Sequence, residues 1–99
     1  MNMLTQSDPQ LKVYYHAASL GTFAGQEISV NGGIRIHVRH LASVSLRDDG
    51  TGFEFTPVIF VKQDMILYAT ALLGEVEMPE NMRGDYLSYI RRRESALPN

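Results

Sequence analysis

Apolar and polar residues alternate with period two from Ile34 to Arg47. Even positions read Ile34, Ile36, Val38, His40, Ala42, Val44 and Leu46, and odd positions read Arg35, His37, Arg39, Leu41, Ser43, Ser45 and Arg47. Successive side chains of a strand point to opposite faces, so the run predicts extended chain with one apolar face and one polar, partly basic face. It exceeds the usual strand length of about 5–6 residues. Leu41 also places an apolar residue on the polar side, so a bend or bulge is expected near His40-Leu41. That break would divide the run or curve it around a small barrel. A helix over residues 40–46 is the competing reading, weakened by Ser43, Val44 and Ser45 at its centre.

The same pattern continues on both sides. Leu11 to Ala17 is rich in β-formers, with Leu11, Val13 and Tyr15 on one face and Lys12, Tyr14 and His16 on the other. Short strands follow around Thr22–Ala24 and over Glu27–Val30. Asn31-Gly32-Gly33 predicts a tight hairpin turn into the long strand, because Asn and Gly accept positive φ readily. Asp48 to Gly52 has the composition of a second hairpin loop, and Phe53 to Thr56 resumes the alternation. Pro57 places that strand at an edge or bulge, since proline cannot donate to the ladder. Val58 to Val61 is continuously apolar and predicts a segment covered on both faces or packed under another element. Lys62-Gln63-Asp64 is a polar turn, Met65 to about Ala71 a further strand, and Glu75 to Glu80 an acidic connector. The one helix is expected over residues 85–95, capped by Asp85. Tyr86, Tyr89 and Ile90 form its apolar stripe, and Arg91 to Arg93 sit at the end where cations suit the dipole. The expectation is a mainly β (α+β) fold: a small, strongly bent antiparallel sheet or five-stranded barrel with a C-terminal α-helix. Residues 1–9 read as a loose leader before one domain over residues 10–97.

The chain has 99 residues, enough for a core without covalent staples. It contains no cysteine, which excludes disulfides, thiolate metal sites and thiol nucleophiles. Its net charge of −2 gives no global attraction to nucleic acid or an anionic membrane, so any positive surface must be local. No basic-then-apolar leader and no apolar run of membrane-spanning length is visible. The expected address is cytoplasmic, with no membrane partner.

Candidate chemistry is sparse. His37 and His40 stand three apart, so on an unbroken strand they face opposite ways and cannot share a metal with His16; neither a metal site nor a cofactor is predicted. There is no Gly-x-Ser-x-Gly elbow and no phosphate loop. No catalytic residue is assigned. An enzyme using His37 or His40 as base is the least favoured class. Arg35, His37 and Arg39 form a positive ladder on one strand face, readable as a solvated surface or as a phosphate contact. Lys62 and the run Arg91, Arg92, Arg93 would join it only if the helix lay alongside. Tyr86 and Tyr89 either close the helix onto the sheet or present a partner surface.

Arg35-x-x-x-Arg39 resembles one half of the cyclic-dinucleotide motif of PilZ domains; the Asp/Asn-x-Ser-x-x-Gly half is absent. Val58 to Tyr68 resembles the second signature of Sm-like proteins, an apolar strand, a basic residue and a second apolar strand. Lys62 occupies the place of the family's basic RNA contact, and Gln63 replaces its glycine. The resemblance implies a five-strand barrel over about residues 11–72 and ring assembly through strand edges. Two functions follow as expectations. One is a non-enzymatic, self-associating interaction module whose partner is protein, chiefly another copy of itself. The other is a nucleic-acid-binding or regulatory small barrel using Arg35, His37, Arg39, Lys62 and Arg91 to Arg93.

Overall fold

A computed structural model describes residues 10–59 and 63–96. The expected leader, Lys62 and the end of the Val58–Val61 run lie outside the described residues. The strands are β1 (Gln10–His16), β2 (Gly21–Asn31), β3 (Arg35–Leu46), β4 (Phe53–Pro57), β5 (Met65–Tyr68) and β6 (Leu72–Glu77), followed by α1 (Glu80–Ala96). They form one antiparallel six-stranded sheet in the order β4-β3-β2-β1-β6, with β5 also on β3. The fold is therefore mainly β with one C-terminal helix, as expected. The sheet has six strands rather than five and does not close into a barrel among the described residues. An open sheet is thus the shape adopted.

Residues 35–46 are one extended strand, and its alternation is reset where the sequence breaks pattern. Gln26 pairs with Arg39 and Ala24 with Ala42, so Gly25 alone faces both His40 and Leu41. His40 takes a left-handed backbone with φ of 56°, as a bulge residue can but a ladder residue cannot. The extra residue reverses the parity of the strand. Ile36 and Val38 pack with Tyr14 and Leu41 on one side of the sheet. Ala42 and the half-buried Val44 pack with Leu11, Val13 and Ala24 on the other, under the helix. The even-numbered positions thus serve two cores instead of one. At the ends of the run Ile34 and Leu46 are exposed. Because the alternation switches faces, β3 also divides its outer edge: β5 pairs with residues 35–38 and β4 with residues 42–46.

Gly25 makes this crossing possible. A Cβ there would overlap Val38 Cγ1 and stand 3.4 Å from Leu41 Cδ1. The glycine therefore does not separate two strands, as its turn-forming character suggests. It lets the expected strands at 22–24 and 27–30 fuse into β2. The hairpin at Asn31-Gly32-Gly33 forms as expected, with both glycines at positive φ and the Ile34 N–H donating to the Asn31 carbonyl at 3.1 Å.

Three other boundaries shift. The strand expected to run to Ala71 stops at Tyr68 and becomes a short 3₁₀ turn, Ala69–Ala71. There the Ala69 N–H donates to the Ile34 carbonyl at 2.7 Å and the Ala17 N–H to the Ala71 carbonyl at 2.9 Å. Glu75 to Glu77 is strand, not connector, because Tyr14, Val13 and Lys12 pair with it and Lys12 Nζ meets Glu75 Oε1 at 3.2 Å. The helix begins at Glu80 instead of Asp85, just after Pro79, whose missing N–H costs nothing at a helix start. Asp85, displaced into the helix, accepts the Phe53 backbone N–H at 3.0 Å and so ties β4 to α1.

The helix lies on its own sheet. Met82, Tyr86, Tyr89 and Ile90 join Leu11, Val13, Ala24, Ala42 and Met78, with Val44, Phe53 and Phe55 packed at the margin. Phe55 stands edge-on to Tyr86 at 5.2 Å between centroids and tilted to Tyr89 at 5.6 Å, separations at which aromatic pairs attract. Tyr86 is fully buried and Tyr89 nearly so. This corrects the partner-surface reading of the two tyrosines: they are core residues, and no partner can reach them without displacing α1.

Candidate functional site

The end of α1 reaches the bulge, and three of its side chains grip one residue. Tyr86 Oη donates to the His40 carbonyl at 2.7 Å. Arg93 Nε donates to His40 Nδ1 at 3.3 Å, and His40 Nε2 faces Glu94 Oε2 at 3.3 Å. The ring geometry therefore fits the neutral Nε2–H tautomer, with both nitrogens occupied. Arg93 is buried like His40, and its Nη1 also donates to the Ile59 carbonyl at 2.9 Å. Burial lowers the His40 pKa below its ordinary value, and the Arg93 and Arg39 charges add to that against the pull of Glu94. Burial likewise raises Tyr89, with the Arg93 guanidinium opposing.

Beside this knot an open cleft of about 520 Å³ is lined by Arg39, His40, Gln63, Asp64, Arg93 and Glu94. Its outer wall is a second charged group. Asp64 Oδ2 lies 2.8 Å from His37 Nε2 and Asp64 Oδ1 accepts from Arg39 Nε at 3.2 Å. Burial alone would raise the Asp64 carboxyl, but the hydrogen bonds from Arg39 and His37 outweigh it and hold the group below the usual carboxylate range. Among the described residues no three histidine or acidic side chains gather as a metal site.

Beyond the cleft the described residues of α1 leave the same sheet face uncovered. Leu11 pairs with Gln26 and Gln26 with Arg39, so Arg39 shares the helix-side face with Leu11, and alternation puts His37 and Arg35 on it too. Directly across on β5 stand Ile66, opposite His37, and Tyr68, opposite Arg35. Tyr68 is 50% exposed and Ile66 38%. None of these residues belongs to the cluster under α1. Strands β2, β3 and β5 thus project past the helix as a three-stranded arm, its outward surface a strip of Arg35, Tyr68, His37, Ile66 and Arg39. Among the described residues Asp64 is the one carboxylate bonded into this strip, and it is shared by Arg39 and His37.

The expected basic group is therefore divided. Arg35, His37 and Arg39 do share a face. Arg93 joins them at the cleft, as a buried structural side chain rather than an exposed contact. Arg91 and Arg92 point into solvent elsewhere on the helix, where Arg91 Nη2 donates to Ser88 Oγ at 3.1 Å. One helix turn carries consecutive residues around most of its circumference, so the three arginines cannot share a ligand. Tyr68, Ile66, Asp64 and Glu94 were not legible as site residues: their membership comes from strand register and from where the helix ends. His40 did leave a signal, the break in alternation at His40-Leu41.

Among the described residues no helix is long and apolar enough to cross a membrane. Compared with known proteins, the chain matches no family model, no curated protein and no solved structure.

Proposed function

We propose that this chain is a non-enzymatic interaction module that binds an anionic partner through the bare surface of the arm. The observation that supports this reading most is the company of Arg35: an exposed guanidinium with no carboxylate bonded to it among the described residues, opposite an exposed tyrosine, on a face that α1 leaves open. The two histidines beside the arm, His37 and His40, favour binding over catalysis. Both nitrogens of His40 are occupied by helix side chains, and His37 is held by a carboxylate that also holds Arg39. Neither pair points a base at a nucleophile. Heparin, a linear polyanion, tests the reading. Wild-type protein is expected to be retained at low salt and released as salt rises, and an Arg35→Glu variant to elute markedly earlier. Equal elution of the two proteins contradicts it.

A second reading, self-association, is favoured by β6. It is the end strand of the sheet, and it exposes Leu73 (69%) and Val76 (45%). An uncovered edge is a template for a second chain, which is also the contact that ring assembly of the Sm kind would use. Glu75 and Glu77 on the same strand oppose a close pairing of like copies. The β4 edge is less open, since that strand ends in Pro57 and gives its Phe53 N–H to Asp85. Sedimentation velocity from low to high micromolar concentration tests this. Concentration-dependent growth that a Leu73→Lys, Val76→Lys variant abolishes supports it, and a constant monomer contradicts it.

A further inference from the structure

We infer that the anionic partner of the arm is single-stranded nucleic acid. This rests on the binding reading proposed above and adds the chemical class of the ligand. The strip offers two things together. The first is positive charge in a line: Arg35 and Arg39 lie four residues apart on one face of an extended strand, about 13 Å at ~3.3 Å per residue, with His37 between them. The second is an aromatic plane set into that line. Tyr68 is the direct cross-strand neighbour of Arg35, a relation that brings Cβ atoms to within about 4.5–5.5 Å. A half-exposed tyrosine ring on an open sheet face can stack on an unpaired base while the guanidinium beside it takes the adjoining phosphate. Ile66, next along β5 on the same face, extends the apolar part of the platform.

The pairing of charge with a bare ring separates this ligand from other anions. An acidic peptide or a sulfated polysaccharide uses Arg35 and Arg39 but gains little from Tyr68. A duplex presents phosphates but keeps its bases stacked inside, out of reach of a ring on a sheet face. Only an unpaired strand uses both features. The rest of the molecule sharpens the choice of surface. The chain carries a net charge of −2, and β6 at the far end of the sheet carries Glu75 and Glu77. An anionic strand is thus steered toward the arm and away from the opposite edge. Within the strip the Asp64 carboxylate, bonded to Arg39 and His37, offsets one positive charge and leaves Arg35 as the cation that no described carboxylate opposes.

Fluorescence anisotropy on the full chain decides the matter, with labelled oligo-thymidine and oligo-uridine of twelve nucleotides and a twelve-base-pair DNA duplex as probes. The two single strands distinguish DNA from RNA as the source of the shared chemistry. At about 50 mM salt at least one single strand is expected to bind more tightly than the duplex. Affinity should fall with salt with a logarithmic slope near roughly −0.7, for the phosphate that Arg35 takes. Tyr68→Ala is expected to weaken binding about tenfold or more, Tyr68→Phe to preserve it, and Arg35→Gln to weaken it and flatten the salt slope by roughly 0.7. Urea unfolding of each variant establishes that it is folded. The inference is overturned if neither single strand binds, if the duplex binds as tightly, or if Tyr68→Ala binds like the wild type. Any of these results alongside Arg35-dependent retention on heparin leaves the anionic interaction module standing and removes only the single-stranded ligand.

Discussion

The two ends of the helix-side sheet face differ in almost everything except the strand that links them. At one end Ala42 and Val44 of β3 lie beneath Tyr86 and its neighbours, and the aromatic side chains pack ring against ring. At the other end Arg35 and His37 of the same strand face outward beside Tyr68. A single inserted residue separates the two regimes. With the bulge at His40-Leu41, the apolar side of β3 lies under α1 in one half and on the opposite face in the other. The first half therefore shows the helix side its polar residues. The lesson is that one bulge can turn a uniform amphipathic strand into a sealed half and a working half, and that the helix, having used its apolar stripe on the first, has none left to cover the second.

Substitution at the two exposed-versus-buried tyrosines gives the largest expected contrast. Tyr86→Ala removes a fully buried ring and should cost about 3–5 kcal/mol in urea unfolding, while Tyr68→Ala on the arm should stay within about 0.5 kcal/mol. Comparable losses at both sites would erase the distinction between the halves. Next comes the crossing point. Gly25→Ala sets a methyl against Val38 Cγ1 inside the sheet, and over-packing of this kind should cost about 1–3 kcal/mol. A neutral result would mean that the strands separate freely there and that the bulge does not fix them.

Acid should act on the sealed half before the arm. His40 has a folded pKa lowered by burial, so the unfolded chain takes up its proton more readily. Its contribution to stability is full above about pH 6.5 and declines as pH falls through that value toward the depressed folded pKa. Arg93 Nε, a donor, cannot bond to a protonated Nδ1, so acidification also loosens the helix end. His40→Gln should flatten the pH dependence of the unfolding midpoint below about pH 6.5; an unchanged slope would place the titration elsewhere. The smallest effect belongs to the arm. Asp64→Asn removes a partly exposed ion pair worth at most about 1 kcal/mol. It should leave the midpoint nearly unchanged at neutral pH, and it removes a stabilising group whose effect is present above about pH 3.9 and lost below it. A large loss at neutral pH would show that the charged strip holds the fold.

Much of the fold was legible in the sequence because local pattern specifies it. The alternation of β3, its break at Leu41, the Asn31-Gly32-Gly33 turn, the edge proline at Pro57 and the Tyr86/Tyr89/Ile90 stripe each follow from side-chain periodicity or backbone sterics. Gly25 and Glu75 to Glu77 read wrongly because their roles are set by distant partners: Val38 across the sheet and β1 sixty residues earlier in the chain. Asp85 has the chemistry of a cap but not the position of one. Pro79 starts the helix sooner, leaving that carboxylate to serve β4 instead. The strip was half legible. Arg35, His37 and Arg39 announce a shared face through their spacing alone, but only the pairing of β3 with β5 puts Tyr68 beside them. No local pattern carries that register.

The most direct test of the working half is a backbone amide NMR titration with the oligonucleotide. Shift changes concentrated at residues 35–39 and 64–68, with the amides of α1 and β4 unmoved, are the predicted result. Changes centred on Tyr86 to Arg93 and Phe53 to Pro57, or none at saturating ligand, would contradict the assignment of function to the bare arm.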